Sequence, residues 1–415
     1  MSKKTSILII LGIIIVIIGG LIFFYFSSSN KTENITGPTT TSNPFGNNTT
    51  NTVSTTTTIH TNNGMPSAGD QKSLAALTQI YRNPTSGSVF FINKDNQNTL
   101  RFVDRAVGNI YEYIQNSQSG EVQRITNTTI PKTQEAVWSN LGNNLILRYL
   151  DNATDNISSF SAKINISTSS IDTTPGNLSG VFLSSNIKQL VISPKGDRVF
   201  GLVDKSDKSG TYGFIENLDG SGKKIIFDSQ ISYWNIAWPK DNIITFTTKP
   251  NYKDSGLLYF FNPQTYSFDR IIGDITGMST LVNKDASLVA YSYSINNIIN
   301  LDVYDVKNRI NNNLKLPTLS DKCVWGNINS KILYCAIPQN INTDNYPDVW
   351  YQGVESFNDN IWKIDTETGD IKLLYMIGSN EVNNIDAFNL VISADDQYIA
   401  FMNKNDLSLW LLQIK

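Results

Sequence analysis

The sequence predicts an all-β fold: a seven-bladed β-propeller behind a single N-terminal transmembrane helix and a disordered linker. Three observations carry the prediction. A strand–turn–strand pattern recurs with a period in the forties. A second hairpin follows the first at a near-constant interval in most copies. A run of 21 uncharged residues, Ser6 to Phe26, opens the chain.

The opening run is dominated by Ile, Leu, Val and Phe. At about 1.5 Å per residue it reaches about 31 Å as a helix, enough for a hydrocarbon core of about 30 Å. Lys3 and Lys4 precede it, so residues 1–5 are expected as a cytoplasmic tail and the long C-terminal part outside the cytoplasm. A cleaved signal peptide is the rival reading. Its apolar region is typically shorter and ends in small residues, whereas this run ends Phe23-Phe-Tyr-Phe26. The expected localisation is therefore the cell membrane, single-pass, by an uncleaved anchor.

Residues 27–70 form the linker. Ser, Thr and Asn occupy 27 of its 44 positions, too little apolar surface to repay the entropy of folding. The remaining 71–415 are expected to form the propeller.

Leu190-Val-Ile-Ser-Pro-Lys-Gly-Asp-Arg-Val-Phe200 and Leu390-Val-Ile-Ser-Ala-Asp-Asp-Gln-Tyr-Ile-Ala-Phe401 each read as a strand, a polar turn and a second strand. Weaker copies occur throughout. The apolar residues just before the turns are Ile92, Trp138, Ile192, Trp238, Val282, Trp325 and Ile392. A second turn begins 23 or 24 residues later at Gln115, Ser161, Glu216, Asn262 and Asp305. Two hairpins per unit make four strands per blade. The sixth unit departs, with Asp365 lying 40 residues after Trp325.

After Ile392 the chain has room for only three strands of a seventh blade. Leu74-Ala-Ala-Leu-Thr-Gln-Ile-Tyr-Arg82 can supply the fourth and close the ring, which removes an unpaired sheet edge. A helix over Lys72–Tyr81 is the competing reading. Closure through this strand brings the tether in at the seventh blade.

The Ser193-Pro-Lys-Gly-Asp-Arg198 and Ser393-Ala-Asp-Asp-Gln-Tyr-Ile-Ala-Phe401 turns resemble the Ser-Pro-Asp-Gly-x-x-Ile-Ala-Phe repeats of TolB-like (WD40-like) propellers. The resemblance is good in blades three and seven, looser elsewhere, and supports the fold over 73–415. These motifs are structural turns and carry no partner or substrate with them. The resemblance implies a periplasmic-type scaffold, or a propeller of the kind attached to prolyl oligopeptidase-type peptidases. The ring is expected to take up residues 71–415, which leaves no room among them for the hydrolase domain of such a peptidase.

The composition narrows the chemistry. The net charge is −3 with no basic block, so nucleic acid is not an expected partner. The single histidine, His60, lies in the linker, which removes Ser-His-Asp and Cys-His sites and His-bearing zinc or haem ligation. No Walker-type loop occurs. Asn93-Lys-Asp-Asn-Gln97 has oxygen ligands at alternate positions, but it coincides with a hairpin turn and lacks the Gly and terminal Glu of a calcium loop. No metal and no cofactor is expected. Cys323 and Cys335 face each other if their hairpin is symmetric about Asn329, either as a disulfide or as two buried thiols.

The sixth-blade insertion, Ile337 to Asn358, is the candidate partner-binding element, through Tyr346, Asp348, Trp350, Tyr351 and Phe357. Such aromatics on a surface loop favour binding. The alternative is a loop that folds over the channel mouth and buries its own aromatics. Ser167 to Gly180 is expected on the same face as a second wall.

Two functions remain on these grounds. One is a membrane-anchored, extracytoplasmic binding or scaffold module without catalysis, taking an envelope protein, peptide or glycan. The other is a carboxylate-based hydrolase or lyase acting on an extracellular polysaccharide, marked by two acidic residues about 5–10 Å apart in a central cleft. The missing catalytic groups favour the first, and the expectation is that the chain is not an enzyme.

Overall fold

Seven four-stranded antiparallel sheets make up the computed structural model of the protein. It describes residues 76–114, 120–166, 175–296, 298–341, 344–378 and 384–414. The chain divides into two units, Met1–Ile59 and His60–Lys415, and only the second contains described residues. The Ser6–Phe26 helix and the 27–70 linker lie outside them. Among the described residues no helix is long and apolar enough to cross a membrane.

The repeating turns set the blades. Ile92, Trp138, Ile192, Val282, Trp325 and Ile392 each end the first strand of a blade. Trp238 sits inside its strand, Trp234–Lys240. The residue after the anchor organises the reversal. The Ser193 hydroxyl donates to Asp197 at 2.6 Å and accepts from the Arg198 amide at 3.1 Å. Ser393 repeats this with Asp395 at 2.6 Å and the Tyr398 amide at 3.0 Å. In blade five Asn283 accepts from the Ser287 and Leu288 amides, both at 3.0 Å. A short polar side chain is favoured here because it reaches its own turn's backbone. Gly196, at φ +71°, takes the left-handed position that a Cβ disfavours.

Between the blades lie seven apolar cores, one for each neighbouring pair around the ring. Val103 and Ile110 of blade one meet Leu145 and Leu147 of blade two. Phe200 of blade three packs among Trp234 and Phe246 of blade four. Leu100 and Phe102 of blade one meet Ala400 and Leu411 of blade seven. Each blade buries both faces, so a missing blade exposes two cores at once.

The ring closes through the expected segment. Ala76–Tyr81 is a strand, not a helix, and pairs antiparallel with Leu409–Gln413, Ala76 opposite Gln413 and Leu77 opposite Leu412. The seventh sheet thus combines the first described strand with the last three.

Blade two differs from expectation. Its third strand, Asn156–Asn165, runs past Ser161, and Asn177–Phe182 is its fourth strand. Of the stretch Ser167 to Gly180, residues 167–174 lie outside the described ones, and Asn177–Gly180 is strand rather than a link between blades. Second-to-third and blade-to-blade connections share one face of the ring, and the two hairpin turns of each blade share the other. Asn177–Gly180 therefore belongs to the outer strand of blade two and not to a wall beside the insertion. Its sequence hid the strand because five of the six residues of Asn177–Phe182 are exposed and carry little apolar pattern.

Candidate functional site

Blade six pairs Cys323 with Cys335, Val324 with Tyr334 and Trp325 with Leu333. The two sulfurs are bonded at 2.08 Å, with Cα atoms 4.1 Å apart. The bond fixes the inner hairpin of the blade that carries the insertion. The second strand ends at Pro338 and the third begins at Asp359, so the insertion emerges on the face of the blade-to-blade connections.

The insertion folds as a cap with a core of its own. Tyr346, Trp350 and Phe357 are buried with Ile299 of blade five and Leu319, and Phe388 of blade seven packs against them. The Tyr346 and Phe357 rings meet edge to face at 5.3 Å. Burial of aromatics of this size contributes about 2–3 kcal/mol each. These three candidates therefore build the cap rather than meet a partner, because an apolar loop over a ring mouth gains more by covering its own rings than by leaving them in water.

Beneath the cap lies a charged centre that no local sequence signal announced. Lys322, Asp359 and Asp386 all have 0% exposure. Lys322 ends a short 3-10 turn, Ser320–Lys322, before the first strand of blade six. Asp359 opens the third strand of the same blade, and Asp386 precedes the first strand of blade seven, Ala387–Ile392. Lys322 Nζ bonds Asp359 at 2.8 Å and also bonds Asp386. The Asp386 carboxylate accepts from Trp350 Nε1 at 2.9 Å and from the Phe357 amide at 3.1 Å. Asp359 accepts from the Ala387 amide at 2.7 Å. Lys322 and Lys404 each place Nζ 5.2 Å from the Trp350 ring. Burial, partly opposed by Lys322 and reinforced by Asp386, pushes the Asp359 carboxyl up to about 6. Burial also lowers Lys404.

Asp359 and Asp386 are neighbouring carboxylates, but both are sealed from solvent and share Lys322, unlike an acidic pair open to a cleft. As placed, they hold the cap.

Asp348 and Tyr351 lie on the one-turn helix Asp348–Tyr351 at the outer edge of the cap. Asp348 accepts the Tyr252 amide at 2.7 Å, tying the cap to blade four across the mouth. The Tyr351 hydroxyl donates to Asp321 at 2.8 Å. Burial, then the Asp321 carboxylate, raises that hydroxyl well above its usual value, so it remains a donor.

Tyr351 and Asp321 form one wall of a cleft of about 610 Å³. The opposite wall comes from the starts of the inner strands of blades three and four: Lys188, Gln189, Tyr233 and Asn235, with Lys249 beside them. Tyr233 is 63% exposed. Thr247 and Thr280, whose hydroxyls lie 2.5 Å apart, line the cleft between the walls. Of the five expected residues, Tyr351 alone lines this cleft. Among the described residues no group of three or more His, Cys, Asp or Glu is placed to hold a metal ion.

No family model matches the chain, and no curated protein matches it. Solved structures do. An oligogalacturonate lyase in complex with manganese aligns at TM-score 0.54 and 11% identity, over 83% of this chain and 95% of that one. The Pan2 WD40 domain of Neurospora crassa aligns at TM-score 0.50 and 10% identity, over 83% and 97%. TolB from Acinetobacter baumannii aligns at TM-score 0.43 and 11% identity, over 66% and 61%. These likenesses correct one expectation. The lyase is an enzyme on the same type of ring, so the fold gives no ground for concluding that this chain is not an enzyme. The histidine count removes only chemistries that need an imidazole. At such identities the likeness is one of fold alone, that of a β-propeller, here with seven blades.

Proposed function

We propose that this chain is a binding or scaffold propeller of the cell envelope that engages its partner on the capped face. Ser6–Phe26 is its membrane anchor, with the N-terminus cytoplasmic and the propeller outside. One observation carries the reading of the face: the cap is held by buried charges so that Tyr351 overhangs a cleft whose far wall presents the exposed Tyr233. A concave site with aromatic side chains on two walls and polar groups between them is the usual form of a recognition site. A fixed cap keeps this one preformed and lowers the ordering cost of binding.

The test is capture from an envelope extract with the full-length chain and with a Tyr233→Ala, Tyr351→Ala double variant of matched melting temperature. The double variant is expected to lose the partners that the parent retains. Equal capture by both proteins contradicts the assignment of the face.

A further inference from the structure

The two walls of the cleft differ in charge. Around Tyr233, Lys188 Nζ lies 4.4 Å and Lys249 Nζ 5.9 Å from the ring centroid. Lys188 shares its charge with Asp204 at 2.7 Å. Lys249 is exposed and, among the described residues, has no carboxylate within ion-pairing distance. Elsewhere on the ring Lys195 pairs with Asp241, Lys205 with Asp228 and Lys331 with Glu367. One aromatic ring thus gathers two ammonium groups, one uncompensated, on the wall of a concave site where their field is focused.

The remaining lining points to the rest of the ligand. Gln189, Asn235, Thr211 and Thr280 offer neutral donors and acceptors, and only Leu202 and Pro250 are aliphatic. A peptide would need apolar pockets for its anchoring side chains. This cleft offers hydroxyls, amides and tyrosine rings, which suit a ligand that is hydroxylated at its edges and flat on its faces. Its volume of about 610 Å³ falls among sites for small ligands.

We infer that the cleft binds a short acidic saccharide, with a sugar carboxylate at Lys249 and Lys188 and a sugar face against the tyrosines. The inference rests on the capped face being the binding face, and adds the chemical class of what it takes.

The test uses cellotriose and its tri-uronate form, which share a backbone and differ only in carboxylates, with a tri-glutamate peptide as the non-sugar acid. Each is titrated calorimetrically into the full-length chain. The tri-uronate is expected to bind at least about tenfold more tightly than cellotriose, with affinity falling as salt rises. Lys249→Gln is expected to weaken the tri-uronate about tenfold and leave cellotriose unchanged. Tyr233→Ala should weaken both sugars. The inference is overturned if cellotriose binds as tightly as the tri-uronate, if Lys249→Gln has no effect, if tri-glutamate binds as tightly as the sugar acid, or if none of the three binds. Should it fall while envelope capture still depends on Tyr233 and Tyr351, the ligand class is wrong and the face stands. If capture is also indifferent to those tyrosines, the face itself is wrong.

Discussion

Trp350 donates its indole N–H to the carboxylate of Asp386 at 2.9 Å, which joins the tip of the blade-six insertion to the connection that enters blade seven. The bond is buried and shared with Lys322, so it acts as the lock of the cap. Trp350→Phe keeps an aromatic ring, smaller than the indole, and removes the donor. A loss of about 1–3 kcal/mol is expected for a buried carboxylate deprived of a partner. Limited proteolysis should then cut faster between Gln352 and Ser356, while far-ultraviolet circular dichroism stays that of a β protein. Unchanged cleavage would mean that the packing of Tyr346 and Phe357 holds the cap unaided.

Among the described residues Lys322 is the one cation in ion-pair contact with the two sealed carboxylates. Lys322→Met leaves both without it, and a destabilisation of about 3–5 kcal/mol is expected in denaturant titrations. Adding Asp359→Asn removes one of the stranded charges, so the double variant should be more stable than Lys322→Met alone. Additive losses in the two variants would show that the pair is not coupled.

The same centre gives a pH signature. The usual value for Asp359 is 3.8, and burial raises it to about 6 in the folded protein. Between these values the folded chain holds a proton that the unfolded chain has released. The contribution of this group to stability is therefore complete below 3.8 and is lost as the pH rises through about 6. Asp359→Asn removes that dependence. Measured against the variant, the parent should lose stability as the pH rises from about 4 to about 7. A stability difference that is flat with pH would contradict a raised Asp359.

Cys323 and Cys335 enclose a loop with a sequence separation of 12. A bond closing a loop of that length contributes about 2–3 kcal/mol through the unfolded state. Reductant should lower the melting temperature of the parent and leave a Cys323→Ser, Cys335→Ser double variant unmoved. Equal responses would assign no stabilisation to the bond.

Much of the ring was legible in the sequence because its turns are chemically periodic. Ser193 and Ser393 occupy the same place after Ile192 and Ile392, and each binds its own turn backbone. The Cys323–Cys335 register followed from the same hairpin symmetry. The outer strand of blade two was not legible, since Asn177–Phe182 faces water and has no apolar alternation to reveal it. The capping centre was hidden for another reason. Lys322 and Asp386 stand 64 residues apart, and a charged residue at a strand entrance ordinarily reads as solvated surface. Only the ring brings blades five, six and seven together beneath the insertion. Tyr346, Trp350 and Phe357 were visible as aromatics, but whether such residues face a partner or their own core depends on what lies under the loop. Tyr233 and Lys249 carry no signal in the sequence because each is ordinary alone and gains meaning only across the mouth of the channel.

The capped face is proposed to be the one that meets the partner. A photo-crosslinking amino acid placed at Tyr233, on that face, is compared in living cells with one at Tyr266, which is 47% exposed in a hairpin turn on the opposite face. Crosslinked adducts from position 233 and none from position 266 are predicted. Adducts from position 266 alone would contradict it.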